Sequence, residues 1–315
     1  MTQSTLSVTT DYYATHFATR LVRMGLGASQ RIWPALAARV AHGMFCTPLP
    51  LKSLNRRNVF SDDWVITQWP FDRANLTIYA ADNNDQPVVL LVHGWGGHAA
   101  QMLPLARKLR GVGLNPVIVE MPAHGRSAGA RSSLPQFARA VDYVAARLKE
   151  EGRTIRAVVA HSLGANASAY ALSRGVAAER LVLLAPPASP LQYTRLFAYA
   201  FALRESTRAA MQRRVEAREA ITMSQFEPAA VGSKISVETL VVHDRGDRIN
   251  PFSDGEAFAQ AIDGARFLAT DGLGHRRVLS DERVMQTVTE FVAPGSSVDG
   301  RSYVDPNRDN AILAG

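Results

Sequence analysis

Cysteine is nearly absent from this chain of 315 residues, in which Cys46 stands alone. A single thiol excludes an internal disulfide and any cysteine-based metal site, as is usual in a reducing compartment. Long apolar runs are missing too, since no stretch approaches the roughly 20 residues that span a bilayer. Met1 to Asp11 lack the cationic start and short apolar core of a secretory signal, so the expected localisation is cytoplasmic, either free or peripheral to a membrane. No His-x-x-x-His pair or acidic cluster has metal-ligand spacing, and neither a metal nor a cofactor is expected. Lysine is scarce, with 4 Lys against 31 Arg, a ratio that looks more like coding bias than a phosphate grip.

Acidic residues are depleted in one place only. Residues 1 to 60 hold Arg20, Arg23, Arg31, Arg39, Lys52, Arg56 and Arg57 against Asp11, which supplies +6 of the formal net charge of +7. The remainder is close to neutral, so the high isoelectric point belongs to an arm and does not make the rest a nucleic-acid binder. Within that arm Phe17, Leu21, Met24, Ala28, Ile32, Leu36, Val40 and Met44 recur at helical spacing. Gly25, Gly27 and Pro34 predict two helices or a kinked one. Two readings compete: a basic amphipathic arm in weak contact with an anionic membrane surface, or a helix pair packing on its own catalytic domain. The second is the expectation, because amphipathic helices of soluble proteins are much the commoner case. Residues 1 to 10, and the Gly-, Ser-, Asp- and Asn-rich tail 293–315, carry no apolar pattern and are expected to be disordered.

From Trp64 the period changes. Trp64 to Trp69 and Leu76 to Ala80 predict an antiparallel opening. Strands then alternate with helices: Val88 to Val92 and a helix about Ala99 to Gly111; Pro116 to Glu120 and Leu134 to Lys149; Ile155 to Ala160 and Leu163 to Ser173; then Leu181 to Leu184. After an insertion at about 187–236, with a helix-rich run from Leu191 to Ala220, come Thr239 to Val242, Asp254 to Ile262, Arg266 to Ala269, and Asp281 to Phe291. Repeated βα units predict an α/β domain over 61–292, with a mostly parallel sheet flanked by helices and reactive loops at the carboxyl ends of its strands. The insertion carries Arg195, Arg204, Arg208, Arg213, Arg214 and Arg218 against Glu205, Glu216 and Glu219. A solvated helix face is expected there, with attraction of an anionic acyl substrate as the sharper alternative.

The run Ala160-His161-Ser162-Leu163-Gly164 joins a predicted strand to a predicted helix. A serine that attacks a carbonyl must project from a sharp turn, and the residues two before and two after it must then be small. Ala160 and Gly164 meet that demand. A serine hydroxyl is a poor nucleophile at neutral pH and needs a base, for which His275 is the candidate, while an acid must hold the imidazole in one tautomer. Asp247 and Asp244 both lie in reach along the chain. The N–H of Leu163 follows from the turn geometry as one donor to a developing oxyanion.

Four motifs together resemble the α/β-hydrolase family from about Trp64 to about Phe291: Val92-His93-Gly94-Trp95-Gly96-Gly97, Met121-Pro122-Ala123-His124-Gly125-Arg126-Ser127, the serine turn, and the loops carrying Asp247 and His275 in the order Ser, acid, His. Ala160 stands where the family usually has glycine, and Asn250 where it usually has valine. The resemblance, on its serine-nucleophile esterase and lipase-like branch, implies Ser162, Asp247 and His275 as the catalytic set, with Asp244 holding its loop. It adds the N–H of Trp95 as the second oxyanion donor and makes the insertion a cap over the site. The Trp95 side chain would wall an acyl pocket or pack under the cap. His161, His98 and His124 are expected to be hydrogen-bonded structural residues. The implied activity is hydrolysis of a small-molecule acyl substrate, an ester first, through an acyl-enzyme. Two alternatives stay open: a non-catalytic binding or membrane-tethered module on this fold, and C–C hydrolysis or perhydrolysis by the same three residues.

Overall fold

Alternation of side chains along Val88-Val89-Leu90-Leu91-Val92 decides how the molecule is layered. All five are buried; Val88, Leu90 and Val92 enter one apolar cluster, whereas Val89 and Leu91 enter another on the opposite face of the sheet. A strand buried on both faces belongs inside a helix-covered parallel sheet. The computed structural model describes residues 17–49, 60–81 and 85–293. The segments 1–10 and 294–315, expected to be disordered, lie outside the described residues.

Eight strands form one sheet in the order β1-β2-β4-β3-β5-β6-β7-β8. They are β1 (Trp64–Phe71), β2 (Ala74–Ala81), β3 (Val88–Val92), β4 (Asn115–Glu120), β5 (Ile155–His161), β6 (Arg180–Leu184), β7 (Glu238–Asp244) and β8 (Arg266–Thr270). The first two form an antiparallel hairpin and β2 runs antiparallel to β4; every other pairing is parallel. Residues 99–111, predicted as one helix, form a 3-10 turn at Ala99–Met102 followed by an α-helix at Leu103–Arg110. The long helix Leu134–Glu150 is capped by the Ser133 hydroxyl, which accepts from the Gln136 N–H. The closing helix Glu282–Val292 is capped in the same way by Asp281.

Between β6 and β7 the predicted helical run divides. One helix spans Pro190–Ala200 and the next Glu205–Glu219, with Ala202 at φ 51° making the turn. A buried Arg208 staples the two: it donates to both carboxylate oxygens of Glu205, to Gln212 and to the hydroxyl of Thr194 on the first helix.

The arm is two helices, Phe17–Ile32 and Pro34–Phe45, broken where Pro34 can occupy only a first turn. The second lays Ala37, Ala38 and Ala41 on the inside; Leu26 and Ala41 join a cluster with Phe197, Phe201 and Met211 of the insertion. Gln30 of the first helix donates to the Ala202 carbonyl and accepts from the Arg204 N–H. The pair thus packs on the insertion, but through a different face from the apolar stripe in the sequence. Leu21, Met24, Ala28, Ile32, Leu36 and Val40 are all exposed. No helix among the described residues is long and apolar enough to cross a membrane. Cys46, at the end of the arm, is 4% exposed, and burial pushes its thiol up to about 11.

Candidate active site

Ser162 leaves β5 at φ 52° and ψ −126°, a backbone conformation costing a non-glycine residue about 1–3 kcal/mol. It is held there by close packing. A Cβ on Gly164 would meet the His93 carbonyl at 2.4 Å, and one on Gly94 would meet the Ser162 Cβ at 2.7 Å. Helix Leu163–Ser173 therefore starts directly against the loop after β3, and Ala160, wholly buried, fits within the apolar core beneath.

Three side chains from three loops form one hydrogen-bonded chain. The Ser162 hydroxyl lies 3.0 Å from His275 Nε2, and His275 Nδ1 lies 2.7 Å from Asp247 Oδ2. An ionised carboxylate only accepts, so the proton sits on Nδ1 and leaves Nε2 free to take the serine proton. The other oxygen of Asp247 accepts from the N–H groups of Ile249 and Asn250 at 2.7 and 3.0 Å. Burial alone would raise this carboxyl; hydrogen bonds from His243 and His275 outweigh it and hold the group well below the usual carboxylate range. Asp244 has a different task. It accepts from the Gly246, Leu273 and Gly274 N–H groups and the Thr270 hydroxyl, which ties the acid loop to the histidine loop. Its carboxylate has no contact with His275 comparable to that of Asp247.

The loop that carries Trp95 is braced by two histidines. His93 Nε2 accepts from the Met121 N–H, so its Nδ1–H donates to the Gly94 carbonyl. His124 Nε2 accepts from the Gly96 N–H while its Nδ1–H donates to the Pro122 carbonyl. No described residue accepts from the Trp95 N–H, and Leu163, at the first position of its helix, has no intrahelical acceptor for its own. Both N–H groups are thus left without an acceptor among the described residues. His98 opens the 3-10 turn, where its N–H donates to the Gln101 side chain and its carbonyl accepts from the Gln101 N–H, and it does not line the cavity. His161 does reach the cavity wall, but its Nε2–H donates to the His275 carbonyl at 2.8 Å. Burial, then the neighbouring His275, lowers its pKa to about 3.

A cavity of about 1040 Å³ opens over Ser162 and His275, large for a small-molecule site. Its walls come from the insertion (Leu196, Phe197, Phe226), from the arm (Met44, Phe45) and from the Trp95 ring, which both lines the space and packs against Phe137. The six arginines of the insertion do not line it; Arg208 is spent on Glu205, and Arg218 approaches Glu219. The cations at the cavity are instead Arg39, Arg131, Arg248 and Arg276, all exposed, from four separate segments. Sequence spacing gave no sign of them, nor of Tyr193, whose hydroxyl donates to the Asn250 side chain. No group of three His, Cys, Asp or Glu side chains among the described residues could hold a metal ion.

Residues 83–233 match the family model described as Serine aminopeptidase, S33, and residues 211–302 match the model described as TAP-like protein, both of α/β-hydrolase type. The chain is an α/β-hydrolase.

Solved structures agree in fold with this hydrolase. Est1E from Butyrivibrio proteoclasticus, bound to ferulic acid, is 18% identical with a TM-score of 0.56, over 72% of this chain and 96% of that one. The 2-hydroxy-6-oxo-6-phenylhexa-2,4-dienoate hydrolase of Rhodococcus sp. strain RHA1 is 16% identical with a TM-score of 0.55, over 73% and 98%. A bacterial membrane phospholipase A, also 16% identical with a TM-score of 0.56, matches 88% of the hydrolase and 97% of its own length. No curated protein matches the sequence. At such identities the likeness speaks for architecture alone.

Proposed function

We propose that this hydrolase cleaves carboxylic esters through an acyl-enzyme on Ser162. The observation that carries the reading is the continuous chain Ser162–His275–Asp247 at 3.0 and 2.7 Å on the floor of an apolar cavity. Ser162 Oγ attacks the ester carbonyl carbon as its proton passes to His275 Nε2, and Asp247 stabilises the imidazolium. The carbonyl oxygen, now negative, takes hydrogen bonds from the Trp95 and Leu163 N–H groups. When the intermediate collapses, the C–O bond breaks and His275 returns the proton to the departing alcohol. Water then attacks the acyl-enzyme with His275 as base, which releases the acid and restores Ser162. The insertion serves as the cap of the acyl site.

An aminopeptidase, the activity named by one matching family model, must hold a cationic amino terminus. The cavity argues against that, because no aspartate or glutamate among the described residues lines it and four arginines do. C–C hydrolysis would use the same three residues and is separated by substrate profile. The test is the intact mass of the protein after fluorophosphonate treatment, beside Ser162→Ala, followed by turnover of a graded series of p-nitrophenyl esters. One adduct, absent from the variant, together with ester turnover supports the reading. An adduct without turnover of any ester moves the chemistry to C–C cleavage, and folded protein without an adduct makes the fold a binding module.

A further inference from the structure

On a helix of 3.6 residues per turn, Leu21, Met24, Ala28 and Ile32 fall within about 80° of arc, and Leu26 and Gln30 lie opposite them. The structure buries the opposite side and leaves the apolar stripe in solvent: Met24 is 71% exposed, Ile32 65% and Trp33 63%. Eight of the twelve exposed large apolar side chains of the described residues fall between Leu21 and Leu49. A helix folded only to cover its own domain would face the other way. An apolar surface of this extent marks a contact.

We propose that the two arm helices dock the protein on an anionic lipid bilayer, with Met24, Ile32, Trp33 and Leu36 entering the headgroup region. Charge selects this occupant. Arg31 and Arg39 are exposed beside the apolar side chains of the two helices, residues 21–49 contain no aspartate or glutamate, and neither arginine is ion-paired to a described residue. A second copy on a two-fold axis would set this cationic face against itself, a costly like-charge contact. Anionic headgroups complement it, and an indole at Trp33, between the helices, suits the headgroup level. The face also runs into the cavity mouth. Val40 and Leu49 belong to both, and Arg39 stands at the same rim as Arg248 and Arg276. Docking in this orientation sets the opening over Ser162 against the lipid surface, so that the acyl ester is drawn from the bilayer. That last step rests on the ester-hydrolase reading; docking itself does not.

The experiment is co-sedimentation of full-length Ser162→Ala protein with vesicles of mixed phosphatidylcholine and phosphatidylglycerol, against phosphatidylcholine alone. Binding to the mixed vesicles is expected, and it weakens with salt. Replacement of Arg31 by serine should lower partitioning about five-fold. Met24→Glu/Ile32→Glu/Trp33→Glu, at exposed positions outside the cavity, should abolish sedimentation. The same triple variant with Ser162 intact should keep the wild-type rate on a soluble short-chain ester. Absence of vesicle binding, or binding unchanged by the triple variant, would overturn the proposal. So would a solution dimer that the triple variant turns into a monomer, because a second copy would then own the face. Sedimentation is read on a protein with no nucleophile, so its failure is distinct from failure of the catalytic reading.

Discussion

Asn250 accepts the hydroxyl hydrogen of Tyr193, and its own backbone N–H donates to the carboxylate of Asp247 at 3.0 Å. One residue thus joins the first helix of the insertion to the loop that orients His275. Its side-chain N–H also donates to the Ala185 carbonyl at the end of β6, 2.7 Å away. The position where the family usually has valine is here a three-way polar joint.

Asn250→Val takes the acceptor from the Tyr193 hydroxyl, which lines the cavity, and leaves the buried Ala185 carbonyl without this donor, at about 1–3 kcal/mol for the carbonyl. Thermal unfolding should show a lower Tm, and ester kinetics a raised KM as the insertion loosens. Tyr193→Phe should reproduce only part of the effect. A Tm for Asn250→Val equal to that of the parent would rule the joint out as a source of stability.

The two aspartates should separate cleanly. Asp247→Asn costs the orientation of His275, and kcat should fall about 10⁴-fold while the fold persists. Asp244→Asn replaces an acceptor of four hydrogen bonds that span two loops, and should lower Tm first, with activity following. Melting curves set beside single-turnover rates decide the matter. If Asp244→Asn kept its Tm and lost as much rate as Asp247→Asn, the roles would be exchanged.

Gly164→Ala places a methyl 2.4 Å from the His93 carbonyl and 2.9 Å from Val92 Cγ1. Such overpacking costs about 1–3 kcal/mol. The displaced loop carries Trp95, so kcat should drop together with stability. Gly27→Ala is the contrast: its Cβ meets nothing within 4 Å in a helix, and a gain of about 0.5–1 kcal/mol in denaturant unfolding is expected.

Stability should fall on mild acidification. Burial lowers His93 to about 4 and His161 to about 3, against 6.5 for the unfolded chain. Between those limits the unfolded state binds more protons. The stabilisation is complete above about pH 6.5 and declines as pH falls toward 4, by up to about 1.4 kcal/mol per pH unit for each imidazole. Asp247, held below its ordinary value, adds a further loss once pH drops under about 3.9. Urea midpoints at pH 7.5 and 4.5 measure the slope; equal midpoints would show that both imidazoles protonate without unfolding.

The sheet was legible because short apolar runs alternate with longer amphipathic helical stretches, and because Ala160, Ser162 and Gly164 must be small-serine-small for strand and helix to meet. The choice of Asp247 over Asp244 came from the family resemblance, because position along the chain leaves both aspartates in reach of His275. Other features depend on tertiary placement that periodicity does not encode. The recurrence of Leu21, Met24, Ala28 and Ile32 defines a face but not the direction it points. Arg39, Arg131, Arg248 and Arg276 are distant in sequence and meet only around the cavity, whereas the conspicuous arginines of the insertion point elsewhere. The division of the insertion at Ala202 had no glycine or proline to announce it, since an alanine at positive φ leaves no compositional trace.

The burial of Cys46 has a practical side. Burial pushes its thiol up to about 11, so the thiol form prevails at neutral pH, and side-chain access is closed besides. The native chain is therefore silent toward maleimides and methanethiosulfonates. A second cysteine introduced at Ile32 or at Val112 would be the accessible labelling point for a spin or fluorescent probe, and would report immersion depth or distance with Cys46 left in place.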